Sequence, residues 1–409
     1  MKHTTYTLDD LFAARAQRSE AQFGGPATPR SAPIISLAYG LADPARFPRA
    51  ELLAATADVL DHDADLALNY GPAYAGLREQ LVTRLRAQGV EAEDNNLLIS
   101  YGSGQILALL PQVFVDPGDV VLIEGPSFMG AVRQFSAAGA RLVTVPTDAQ
   151  GMDVEALEQS LRDLRAQGIR PKFIYTIPTF HNPTGATMPL ARRQKLVALG
   201  AEYGVVIVED DAYGDLRYEG QPLPNLATLD QEGWVIRVGT FSKILAPGVR
   251  MGWAYARPEI IERLAMFKAE GSSGPYLTHL VARYCADGRL EAHIQELIAL
   301  YRHKRDVMLD AITREFPAEV VTLKPEGGFF VWCRLPAGMS ATALMAQSEQ
   351  RGATFLAGTR CFANGQGDDA IRLAFSFLPA EQIEEGIARI GAAMRAAPPL
   401  PRAGEGAGR

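Results

Sequence analysis

Cysteine is scarce and scattered. Cys285, Cys333 and Cys361 are the only three in 409 residues, and no Cys-x-x-Cys pair exists. That excludes a disulfide framework and a cysteine-based zinc site, and such thiols suit a reducing cytoplasm. No other metal site is expected. No apolar run reaches 18 residues, and Met1-Lys2-His3-Thr4-Thr5 opens without an apolar signal core. A membrane span and a secreted product are therefore not expected. Basic charge is also short: 40 Lys and Arg against 47 Asp and Glu leave a net charge of -7, with no long basic cluster to offset it. A nucleic-acid-binding surface is excluded on that ground. Internal repeats are lacking too.

What is present reads as an ordinary globular chain, with 47% hydrophobic and 21% charged residues. Its length exceeds what one simple core accommodates. From about residue 50 to 290 short apolar runs alternate with amphipathic stretches. Strands are expected at 97–100, 120–124, 141–145, 173–177, 205–209, 235–238 and 252–255, with helices at 104–115, 128–138, 153–167 and 190–203. Such alternation predicts an α/β fold: a large domain with a mostly parallel, doubly wound sheet and functional groups at the strands' carboxyl ends. After a long helical pattern over 290–315 the style changes, and short strands with two helices predict a smaller α+β domain. The expected boundaries are an N-terminal arm over 1–49, the large domain over 50–290, the small domain over 291–395, and a Pro/Gly-rich disordered tail over 396–409.

One stretch concentrates chemistry. The apolar strand ending at Val238 runs into Thr240-Phe241-Ser242-Lys243, a Pro247-Gly248 turn and Arg250. Hydroxyls and an arginine suit a phosphate, and a lysine desolvated beside a cation suits condensation with an aldehyde. A lysine on an exposed strand edge is the plain alternative. Five other places carry candidate site residues. Asp210 and Tyr213 follow the buried run Val205–Glu209; the carboxylate suits a pyridinium nitrogen, or it caps a helix. Asn182, in His181-Asn182-Pro183-Thr184-Gly185, forms a turn or donates to a ring oxygen and a carboxylate. His181 is either packed or a proton shuttle. Ser103, Gly104 and Gln105 open a helix, where free N–H groups favour an anion, although such loops are common. Phe128 stacks on a flat ring or belongs to the core. Arg372, a lone charge in an apolar strand, needs an anion: a bidentate carboxylate ligand or a structural partner.

Taken together these places resemble the fold-type I, pyridoxal-phosphate-dependent aminotransferases of class I and II. The likeness runs from the Gly40 region to the last helix and includes Asn69-Tyr70-Gly71 with Gly76. Within the family the chain is most similar to the 2-aminoadipate/aromatic branch, through Glu209-Asp210-Asp211-Ala212-Tyr213, Leu245-Ala246-Pro247-Gly248 and Gly125-Pro126-Ser127-Phe128-Met129-Gly130.

The resemblance implies pyridoxal 5'-phosphate as cofactor, bound covalently to Lys243, which then carries the proton to and from the substrate's Cα. It implies Asp210 on the pyridine nitrogen, Tyr213 and Asn182 on the ring oxygen, and Phe128 against the ring. Ser103, Gly104, Gln105, Thr240, Ser242 and Arg250 form a phosphate cup. Tyr70 reaches the phosphate of the neighbouring subunit of a homodimer with shared active sites. Arg372, Asn182 and the Gly40 backbone hold the α-carboxylate, and the arm, with Tyr39, lines the side-chain pocket as a lid. Phe128, His181 and Tyr39 depart from the branch, which usually has Tyr, Gln and Gly there. The implied reaction moves an amino group from an L-amino acid to a 2-oxo acid such as 2-oxoglutarate. An oxidase, lyase or racemase on the same scaffold is the second reading, and a catalytically silent ligand-sensing domain the third.

Overall fold

The computed structural model describes residues 8–13, 34–268 and 273–396. Most of the expected arm, over 1–7 and 14–33, and the expected tail over 397–409 lie outside the described residues. Ala396, counted with the tail from the sequence, is the last residue of the final helix.

Eight strands form the main sheet in the order β2-β9-β8-β7-β6-β3-β4-β5. They are β2 (Leu97–Ser100), β3 (Val120–Gly125), β4 (Arg141–Asp148), β5 (Gly151–Met152), β6 (Phe173–Thr176), β7 (Val206–Asp211), β8 (Val235–Thr240) and β9 (Gly252–Tyr255). The β8-β7-β6-β3-β4 series is parallel, while β9 runs antiparallel between β8 and β2, and β5 runs antiparallel to β4. β3 and β8 are buried along their whole length. That is the signature of a parallel sheet covered on both faces, and it explains the unbroken Val120-Val121-Leu122-Ile123 run. The covering helices include α1 (Arg49–His62), α2 (Ala75–Ala87), α3 (Ser103–Phe114), α4 (Met129–Ala137), α5 (Val154–Ala166), α6 (Leu190–Tyr203), α7 (Pro258–Phe267) and α8 (Pro275–Cys285). α6 stops at Gly204, whose left-handed conformation closes the helix before β7 begins.

The 27-residue helix α9 (Arg289–Glu315) leads into the second unit. There β10 (Val321–Leu323), β11 (Phe330–Arg334), β13 (Leu356–Ala357) and β14 (Ala370–Ala374) pair antiparallel in the order β10-β11-β14-β13. α10 (Ala341–Gln350) and α11 (Ala380–Ala396) complete it, and β1 (Ile35–Ser36) pairs with β12 (Ala353–Thr354). The chain after β1 is fastened to this unit. Ala374 N donates to Leu37 O at 2.7 Å, Ser376 Oγ to Leu41 O at 2.6 Å, and Lys304 Nζ to Asp43 Oδ2 at 2.7 Å. Among the described residues no helix is long and apolar enough to cross a membrane.

Two buried polar side chains tie a functional loop to this frame. Glu124, at the end of β3, accepts from Thr176 Oγ1 and Ile177 N at 2.9 Å. Arg193 of α6, fully buried, donates to the carbonyls of Pro178 and Met188 and to Thr179 Oγ1. The loop that carries Asn182 is thus gripped at both ends. Arg193→Leu strands those buried acceptors and should cost roughly 3 kcal/mol or more. Urea unfolding checks this, with a clearly lowered midpoint expected; an unchanged midpoint would show that the clamp is dispensable.

Candidate active site

The carboxyl ends of β2, β3, β6, β7 and β8 converge on one cavity of about 130 Å³. Its wall contains Ser103 and Phe128, then Asn182 and Asp210, then Tyr213, Thr240, Ser242 and Lys243. A doubly wound sheet places ligands at this edge. Five separate stretches of sequence therefore meet here.

The acids closing β7 take three different tasks, because successive side chains point to opposite faces of a strand. Glu209 accepts from Leu226 N and Ala227 N at 2.8 and 3.1 Å. Asp211 pairs with Arg237 at 2.6 Å. Asp210, between them, turns to the cavity; its Oδ2 accepts from Tyr175 Oη at 2.6 Å and its buried Oδ1 has no partner. Burial raises the Asp210 carboxyl to about 6, against the hydrogen bond from Tyr175, and the Asp211 charge pushes the same way. A carboxylate oxygen left open at a cavity wall calls for a donor from whatever fills the cavity. A protonated ring nitrogen is such a donor, so the residues fit pyridoxal phosphate at this point.

Lys243 is half-buried, and its Nζ donates to Gly40 O at 3.1 Å. Burial lowers its pKa from 10.5 to about 8, Arg372 adds to the effect and Asp210 opposes it. Gly40 is required at its position: a Cβ there would lie 2.3 Å from Phe330 Cζ. Arg372, on β14, has no carboxylate partner among the described residues. It donates to Asn182 Oδ1 at 2.8 Å and Ala38 O at 2.5 Å, stacks over Phe330 at 4.2 Å, and leaves Nε buried and unpaired. The structural salt bridge considered from sequence is thus absent, and the guanidinium remains available to an anion. With its oxygen toward Arg372, the Asn182 amide hydrogen-bonds the Tyr213 hydroxyl, whose pKa burial pushes up.

On the other side, α3 begins at Ser103 with no side-chain cap, so its first N–H groups remain open to an anion. Gly102 has φ +78, and a Cβ there would lie 2.8 Å from the Arg250 guanidinium, which donates to Tyr101 O at 3.0 Å. Thr240 Oγ1 and Ser242 Oγ lie 2.9 Å apart beside it. The Gln105 side chain accepts from Tyr101 N at 2.8 Å and braces the loop. Gly104 lies in the first turn of α3.

Some residues singled out by the sequence stand apart from the cavity. His181 is fully buried behind Asn182, with Nδ1 on Thr184 Oγ1 and Nε2 3.1 Å from Glu124 Oε2. It is packed, and a shuttle role is not supported by its position. Tyr39 is 64% exposed and Tyr70 103% exposed. Conversely, Tyr175 and Glu124 do not stand out in the sequence, because both lie within expected strands. The available signal was a polar tip inside an otherwise apolar buried run, which obliges a partner.

A group with pKa near 8 is about half neutral at pH 8, whereas an ordinary lysine is roughly 0.3% neutral there. Acylation of Lys243 in cofactor-free protein, followed by peptide mass spectrometry, should therefore rise through a midpoint near pH 8. Arg372→Leu removes a neighbouring cation and should move that midpoint upward; an unperturbed lysine profile in both proteins would refute the desolvated environment.

Comparison with known proteins agrees with this geometry. Residues 39–390 match the family model for aminotransferase class I and II. The aromatic-amino-acid aminotransferase 1 of Thermococcus litoralis is 38% identical over 362 residues, 87% of each chain. The crystal structure of Pyrococcus horikoshii kynurenine aminotransferase superposes with a TM-score of 0.89 at 36% identity, covering 95% of this chain and 97% of that one. The α-aminoadipate aminotransferase of Thermus thermophilus, complexed with N-(5'-phosphopyridoxyl)-L-leucine, gives 0.86 at 36% identity, covering 95% and 98%. The chain belongs to the class I and II aminotransferases, enzymes that transfer amino groups with pyridoxal phosphate.

Proposed function

We propose that Lys243 is the residue that attaches the cofactor and moves the proton at the substrate's Cα, in an exchange between an L-amino acid and a 2-oxo acid, with 2-oxoglutarate as the acceptor. The observation that carries this reading is the conjunction of a lysine lowered to about 8 and an open Asp210 oxygen in one cavity, with Arg372, which has no carboxylate partner among the described residues, beside them. Pyridoxal phosphate supplies the electron sink that makes a Cα–H bond labile.

The chain's own groups do the rest. Asp210 offers Oδ1 to the ring nitrogen, and Tyr175 holds that carboxylate in place. Tyr213 and Asn182 would meet the ring oxygen, and Phe128 the ring face. Ser103, Gly104, Thr240, Ser242 and Arg250 would hold the phosphate, with Gln105 bracing their loop. Arg372 holds the α-carboxylate by its planar fork, next to Asn182 and the Gly40 carbonyl. Lys243, near half-neutral at pH 8, both accepts and returns the Cα proton, which suits general acid–base work.

The same reading makes the protein a homodimer. Tyr70 is fully exposed, and Leu66 and Leu68 beside it are 68% and 67% exposed. An apolar surface patch carrying a tyrosine suits a subunit contact, and Tyr70 would serve the partner's phosphate. Tyr39 belongs with the substrate side chain. Unpaired thiols at Cys285, Cys333 and Cys361 suit a reducing cytoplasm.

Protein loaded with pyridoxal phosphate and given single L-amino acids should yield one 2-oxo acid and one pyridoxamine phosphate per site. Lys243→Ala should lower that rate by about a thousandfold or more while the fold, followed by circular dichroism, stays intact. Oxygen consumption or free ammonia in place of pyridoxamine phosphate would refute transamination.

A further inference from the structure

A second cleft, of about 390 Å³, adjoins the reaction cavity, and Phe128 lines both. Arg372 also stands in its wall, so this is the space next to any carboxylate that Arg372 holds. The cleft is chemically one-sided. Arg133, Arg360 and Arg372 bring three cations into the lining, and no aspartate or glutamate is there. Met129, Val132 and Leu356 make much of the remaining wall apolar. Walls of low dielectric concentrate the arginines' field, so the cleft attracts anions although the whole chain carries -7.

Arg360 is placed by the fold rather than by chance. It sits in the short helical turn Gly358–Cys361 directly after β13, and Leu356 of β13 is paired in register with Arg372 of β14. The turn is tied down: Ser127 N donates to Cys361 O at 2.7 Å. Burial raises the Cys361 thiol to about 11, while the nearby charges of Arg372 and Arg360 both act to lower it. Arg360 is exposed, and no carboxylate of the described residues pairs with it. Arg133 approaches the same cleft from α4. An unpaired guanidinium facing an apolar cleft beside a second one is suited to a ligand with two carboxylates.

We propose, building on the transaminase reading, that Arg360 binds the distal carboxylate of a dicarboxylic substrate while Arg372 binds its α-carboxylate. Arg360 is thereby a specificity residue, which favours 2-oxo diacids over monocarboxylic 2-oxo acids without touching the reacting atoms.

Protein loaded with pyridoxamine phosphate isolates the acceptor half of the reaction and needs no knowledge of the amino donor. Second-order rate constants are compared for 2-oxoglutarate and pyruvate in the wild type, Arg360→Gln and Arg360→Lys. The wild type should favour 2-oxoglutarate. Arg360→Gln should lose about tenfold or more with 2-oxoglutarate and stay within about twofold with pyruvate, and Arg360→Lys should fall between. The retained pyruvate rate certifies a folded variant. An equal effect on both acceptors, or none on either, overturns the assignment while leaving transamination standing. A wild type that reacts with neither acceptor overturns the transaminase reading and this inference with it.

Discussion

A carboxylate buried with one oxygen left open is the constraint on which the site depends. Asp210 is 4% exposed, and desolvation is the largest influence raising its carboxyl to about 6. Tyr175 opposes that by donating to Oδ2, and the neighbouring β6–β7 pairing sets the distance. The remaining oxygen faces the cavity, so the protein carries an unmet acceptor that a protonated ring nitrogen would satisfy. The proposed electron sink follows from this arrangement: with the cofactor bound, the negative charge of Asp210 would favour a protonated ring nitrogen, and that cation would favour the ionised carboxylate.

The second unit supplies the opposite sign. Arg372 comes from β14 and Gly40 from the segment fastened to it, yet both reach Lys243 or its neighbours at the edge of the main sheet. Desolvation and the Arg372 cation together lower the lysine's basicity, and Asp210 limits how far. Cation, amine and carboxylate therefore tune one another across two units that the chain joins only by a long helix and a short arm. A change at Arg372 or Asp210 therefore alters Lys243, and a change at Lys243 alters Asp210, so these positions do not behave independently.

Much of this was legible in the sequence. Unbroken apolar runs such as Val120–Ile123 announced strands buried on both faces, and the glycine-rich or hydroxylated residues after them announced the sheet's functional edge. Among Glu209, Asp210 and Asp211, however, the sequence alone could not choose by chemistry; strand alternation and the register with β8 make the choice. Tyr175 was hidden because a tyrosine inside a strand also reads as core. His181 could be read two ways until its contact with Glu124 and Thr184 showed it packed. Arg360 was invisible, since its meaning comes from the Arg372 and Arg133 side chains that share its cleft, and those contacts join three distant stretches.

Asp210 is proposed to hold the cofactor's ring nitrogen protonated. Nitrogen-15 NMR of labelled pyridoxal phosphate bound to the protein at pH 8 tests this most directly. The wild type should show the shift of a protonated pyridine nitrogen and Asp210→Ala that of an unprotonated one. An unprotonated nitrogen in the wild type, or the same protonated signal in both proteins, would contradict it.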